Sequence, residues 1–205
     1  MSPYTDSEHR FVFIDSPDWV NLVPLTEQNE IVMIRQYRHG SQDVTLEIPG
    51  GMVDAGEEPI RSAARECHEE TGYEAKTPHS LGELNPNPAL FGNSLHTFYA
   101  RVSEGGPNSH SSETERTEVE LIELDRLKAL LLDGTIDHAL VCATLWRFLE
   151  QWEQGEISLD YPAFSRPGDS PVHSPPFPGR SRIWLGPQPP IFLTCLPLSI
   201  PEAVI

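Results

Sequence analysis

Two periodicities divide the chain. Short runs rich in β-branched and aromatic residues occur at Phe11–Ile14, Trp19–Leu25, Glu30–Tyr37 and Val44–Ile48. They recur at His96–Val102 and Val119–Glu123, and all six runs predict strands. Between the two groups the apolar spacing becomes helical: Ile60, Ala63, Ala64 and Cys67 share one side of a helix predicted over Pro59–Thr71. Pro59 suits a first helical position, and Gly72 suits the left-handed position just past the end. Leu124–Asp133 and His138–Trp152 are also predicted helices. The second places Leu140, Leu145, Phe148 and Trp152 near one face, as core packing requires. Gly105 to Ser112 is a polar, glycine-containing loop.

The polar positions of the first helix break a local rule. Glu66, Glu69 and Glu70 fall within a wedge roughly 100° wide at ~100° per residue, placed away from the apolar stripe. They occupy the last turn, where the helix dipole is negative and each carboxylate costs on the order of 0.3–1 kcal/mol. Glu66 also repels Glu69 and Glu70 at spacings of three and four residues. Arg65 reaches Glu69 one turn on, but one guanidinium does not neutralise three carboxylates. A solvated acidic face explains this poorly. A bound hard cation such as Mg²⁺ turns the repulsion into coordination.

Composition narrows the partners. The 205 residues hold 14 basic and 31 acidic side chains, a formal charge of −17, which disfavours nucleic acid. An apolar content of 38% supports a real core, and one domain is the default at this length. No window approaches the ~18 apolar residues of a membrane span. The first residues, MSPYTDSEHR, lack the regions of a signal peptide. Three cysteines (Cys67, Cys142, Cys195) without metal spacing suit a reducing cytoplasm. Residues 156–205 carry 11 of the 20 prolines, so the chain divides into a folded domain over 1–155 and a proline-rich tail. The tail is expected to be disordered and non-catalytic, with a docking role as the alternative. Trimming after Gln154 is expected to leave activity unchanged.

Gly51, Glu57, Arg65-Glu66, Cys67, Glu69-Glu70, Gly72 and Tyr73 fall at fixed offsets, and at this point the chain resembles the Nudix hydrolases. The likeness runs from about Phe11 to Trp152. It implies an α/β (α+β) fold, an α/β/α sandwich around a mixed β-sheet. It also implies metal-dependent hydrolysis of a nucleoside diphosphate linked to another group, with Mg²⁺ or Mn²⁺ as cofactor. By motif position Glu66 and Glu70 are the principal ligands, Glu69 assists, and the backbone carbonyl of Gly50 joins them. Arg65 holds the glutamates, and Glu57 braces the junction of loop and helix.

The flanking segments are similar to the ADP-ribose and nucleotide-sugar branch. Gln36-Tyr37-Arg38 and Leu46-Glu47-Ile48-Pro49 match its pattern, and Pro88 falls where that branch carries a proline. Arg35 and Arg38 are candidate phosphate clamps, because guanidinium pairs well with phosphate oxygens. Glu47, Pro88 and Asn93 complete the candidate substrate residues. A structural reading stands beside several of these: Arg38 as a surface arginine, Asn85-Pro86-Asn87-Pro88 as a rigid turn, and His96 as a polar strand residue. In this branch the base that deprotonates water comes from a loop after a long strand. Glu113 is the candidate base and Glu115 an added ligand, with Glu118 as rival. The resemblance further implies a small nucleotide-sugar substrate, no nucleic acid, no membrane and a homodimer. A non-catalytic Nudix sensor that binds ADP-ribose is the alternative.

Overall fold

The computed structural model describes residues 12–106 and 116–157. The chain runs β1 (Trp19–Leu25), β2 (Glu30–Arg38), β3 (Asp43–Glu47), β4 (Gly50–Met52), α1 (Pro59–Thr71), β5 (Tyr73–Leu84), β6 (Leu95–Glu104), β7 (Thr117–Glu123), α2 (Leu124–Leu132) and α3 (Ala139–Glu153). The seven strands form one mixed sheet with the path β3-β2-β1-β6-β5; β4 pairs with β1, and β7 with β2. β1 and β6 are parallel along the whole of β1, from Trp19 opposite Leu95 to Leu25 opposite Arg101. The other pairings between strands are antiparallel.

Strand alternation splits the core into two layers. On one face Val20, Leu22, Val32, Phe98, Ala100 and Val102 pack with Ala63 and Cys67 of α1. On the other, Val23, Leu25, Ile31, Met33 and Ile122 pack with Leu127 and Leu131 of α2 and with Val141, Leu145, Phe148 and Leu149 of α3. The sheet is therefore enclosed between α1 and the α2–α3 pair, the mixed-sheet sandwich expected. Among the described residues no helix is long and apolar enough to cross a membrane.

Three local expectations change, and β5 adds a strand that the periodicity does not predict. Phe11–Ile14 does not form a strand over its described part; Ile14 alone bridges to Phe91 and donates its N–H to Leu90 O at 2.7 Å. β5 carries no alternating apolar signal, because much of it is exposed and it is irregular between Lys76 and His79 and between Ser80 and Gly82. The buried stripe of α1 is Ser62, Ala63, Cys67 and Thr71, whereas Ile60 is 41% exposed. Glu66 and Glu70 thus border the buried stripe instead of standing away from it: at ~100° per residue, Glu70 is about 60° from Cys67. Finally, Ile157 is buried in the α2–α3 core, so a boundary at 155 cuts through packed structure.

Ile157 supplies a stability test. A chain ending at Gln154 should be less stable than one ending at Ile157 by about 2–4 kcal/mol in urea unfolding, the usual loss on emptying an isoleucine site.

Candidate active site

The two glycines of β4 make the site possible. Gly50 lies opposite Asn21 of β1, and a Cβ there would collide with Val20 O and the Asn21 side chain. At Gly51 a Cβ would stand 2.5 Å from the carboxylate of Glu66, in the space this carboxylate needs. Side-chain-free backbone at both positions brings β4 against the end of α1. The Gly50 N–H then donates to Glu70 Oε2 at 2.9 Å.

Arg65 organises the remaining carboxylates. Its Nη1 donates to Glu66 Oε1 and to Glu69 Oε2, both at 2.9 Å. Its Nη2 reaches Glu57 Oε2 and Ser62 Oγ, both at 3.1 Å, and Met52 O at 3.3 Å. Hydrogen bonding to Arg65 holds the Glu57 carboxyl below the usual range. Glu66 moves the other way, because burial raises it more than Arg65 lowers it. Burial pushes Glu70 up to about 8, with the nearby Glu66 charge adding and the Gly50 N–H opposing.

Gly50, Gly51, Arg65, Glu66, Glu69 and Glu70 border a cavity of about 400 Å³, which Gln36, Arg38 and Thr117 also line. Arg38 donates to both carboxylate oxygens of Glu47 at 2.7 Å. Burial raises Glu47, yet the Arg38 and Thr45 hydrogen bonds outweigh it and keep the carboxyl below its ordinary range. Thr117 donates to Glu70 O at 2.7 Å.

The pattern defining the NUDIX domain matches residues 16–145. The chain belongs to the Nudix family. It is 33% identical over 87 residues to an ADP-ribose pyrophosphatase of Bacillus subtilis, covering 42% of this chain and 47% of that protein. It is 35% identical over 101 residues to an ADP-ribose pyrophosphatase of Mycobacterium tuberculosis, covering 48% and 49%. A methanol dehydrogenase activator of Bacillus methanolicus is 33% identical over 114 residues, covering 56% and 61%. The chain therefore spans about half to three-fifths of the length of these relatives. The solved structure of an ADP compounds hydrolase shares the fold, with TM-score 0.61 and 24% identity over 68% of this chain and 74% of that one.

Nudix hydrolases generally use divalent metal ions. Among the described residues no three acidic, imidazole or thiol side chains already form a cage, and Arg65 donates to both Glu66 and Glu69. The donor set still fits a hard cation: Glu66, Glu69 and Glu70 offer carboxylate oxygens alone, and Gly51 keeps the room that Glu66 needs. Arg65 occupies one oxygen of Glu66 and one of Glu69, which leaves the second oxygen of each carboxylate for a cation.

The remaining candidates are dispersed. Arg35 does not border this cavity; it lies on the opposite face of β2 from Gln36 and Arg38 and pairs with Glu120 at 2.6 Å. Pro88 is exposed in a turn whose Leu90 N–H donates to Asn87 O at 3.0 Å. Asn93 is 6% exposed and donates to Pro17 O at 2.8 Å, so it ties down the segment before β1 rather than facing the cavity. His96 pairs with Asp18 at 2.8 Å, the polar strand neighbourhood anticipated as its alternative. Glu118 is exposed beside Arg116. Glu113 and Glu115 lie outside the described residues. Gln36 and Thr117 had no assigned role; the two-residue step from Gln36 to Arg38 was the available signal, since it puts both on one strand face.

Two outcomes follow from this geometry. Gly51→Ala should weaken divalent-cation binding about tenfold in calorimetric titration, because the new methyl displaces a ligand carboxylate. Glu70 makes ligand-free stability fall with alkali. Its folded pKa lies above its ordinary 4.5, so its contribution is fully present below 4.5 and is lost as pH rises through about 8. Metal-free Glu70→Gln should therefore exceed wild type in stability at pH 8 by on the order of a few kcal/mol and match it near pH 4. Saturating Mg²⁺ should reverse the order at pH 8, as read by thermal melting.

Proposed function

We propose that this protein hydrolyses the diphosphate linkage of nucleoside diphosphate sugars such as ADP-ribose, with Mg²⁺ or Mn²⁺, to a nucleoside monophosphate and a sugar phosphate. The observation that carries this reading is the convergence of Glu66, Glu69, Glu70 and Arg38 on one cavity. The named relatives that are ADP-ribose pyrophosphatases support the substrate class.

The bound cation would activate water and offset charge on the phosphates. Glu66, Glu69 and Glu70 would hold it, with the Gly50 carbonyl as a further ligand. Arg65 would orient two of these carboxylates, and Glu57 would anchor Arg65 at the start of the helix. Arg38, held in one orientation by both oxygens of Glu47, would set positive charge beside the phosphates. We propose Glu113 as the group that takes the proton from water and Glu115 as an added ligand. The same reading carries a cytoplasmic homodimer.

The test is a panel of ADP-ribose, GDP-mannose, ADP-glucose, NADH, diadenosine polyphosphates and dGTP, each with Mg²⁺ and with chelator. ADP-ribose should give AMP and ribose 5-phosphate only with the metal. Glu70→Gln should lower kcat by at least ~100-fold. Tight ADP-ribose binding without cleavage by wild type would replace the enzyme with a sensor. Preference for dGTP would overturn the substrate class.

A further inference from the structure

The polar groups around the cavity are mostly committed to one another. Arg38 is clamped to Glu47, Arg65 to Glu57, Glu66 and Glu69, Glu70 to the Gly50 N–H, and Thr117 to Glu70 O. Gln36 differs. Its residue is 9% exposed, it borders the cavity, and its carboxamide oxygen is buried with no hydrogen-bond partner.

An orphaned buried acceptor costs stability, and a buried amide is normally satisfied. The same face of β2 carries Val32, fully buried in the apolar layer under α1. A glutamine here is a local conflict between stability and sequence, the kind that marks a site kept for a ligand.

The chemistry of the orphan states what it lacks. A carboxamide oxygen accepts and does not donate. At neutral pH the oxygens of a diphosphate diester also only accept, so the phosphates cannot satisfy it. Hydroxyls can, and the terminal torsion of glutamine is soft enough to turn the oxygen toward the cavity. We propose that Gln36 is a specificity residue that accepts a hydrogen bond from a sugar hydroxyl of the bound molecule. This rests on the nucleoside diphosphate sugar reading above and adds to it the group that tells a glycosylated diphosphate from a bare one.

The test uses the full chain with Gln36→Met, which keeps the shape and removes the amide. Two non-hydrolysable probes are titrated with Mg²⁺ present: the methylene-bisphosphonate analogue of ADP-ribose, and methylenebisphosphonate, which has no sugar. The variant should bind the first about 5- to 20-fold more weakly and the second unchanged. Its ligand-free melting temperature should rise by about 2–5 °C, since an unsatisfied group has been removed. Equal weakening for both probes would place the amide N–H on the phosphates and overturn the proposal. Unchanged affinity for both would overturn it and leave the hydrolase reading standing. A fall in melting temperature would make Gln36 structural and overturn it too. If wild type binds neither probe, the function reading fails. The melting shift then still decides whether Gln36 is held against stability: a rise supports that, and no rise overturns it.

Discussion

The contact on which the site depends is the Arg65 guanidinium. It spreads one positive charge over Glu57, Glu66 and Glu69 and over the Met52 carbonyl, linking the loop before α1 and the last turns of α1 to β4. Without it the final turn would bring three glutamates together at the negative end of a helix. The five donors of a guanidinium lie in a fixed fork, which a lysine could not reproduce. Arg65 is thus both the counter-charge of the acidic turn and the group that fixes how Glu66 and Glu69 point.

Glu70 follows a different solution. It is held by a backbone N–H instead of a cation, and burial keeps its proton into the neutral range. The acid cluster is therefore graded. Arg65 holds the Glu57 carboxyl below its ordinary range, and burial lifts Glu70 above it. Gln36, an uncharged amide without a partner for its oxygen, sits in the same cavity as Glu70. These groups are tolerated because the two hydrophobic layers flanking the sheet supply the cohesion that the cavity does not.

Much of this was legible in the sequence. The spacing from Gly51 to Tyr73 marks the carboxylates, and the turn residues Pro59 and Gly72 bound α1 as the sequence predicts. What escaped had physical reasons. β5 is largely exposed and twice irregular, so it lacks the two-residue alternation by which strands are recognised. The depth of Glu70 depends on β4 approaching the helix end, a tertiary contact that helical periodicity does not contain. Arg35 and Arg38 look alike in sequence, yet opposite pleats of β2 send only Arg38 to the cavity. Asn93, a candidate substrate contact from its place after the motif, is instead tied to Pro17 O.

The parallel pairing of β1 and β6 has a consequence for assembly. Parallel neighbours cannot be joined by a tight turn, so the chain must leave β1 at Leu25 and return at Leu95. Within that one excursion lie β2, β3, β4 and α1, and with them every glutamate of the helix, Arg38 and Gln36. Most of the site is carried on a long excursion whose closure is slow and entropically unfavourable, and Thr117 of β7 joins it from beyond β6. A nascent chain emerging from the ribosome holds all of these carboxylates before β6, the parallel partner of β1, and β7, the partner of β2, have been made. Order at the cavity waits on β6, which contributes no side chain to its wall, and then on β7, which contributes Thr117.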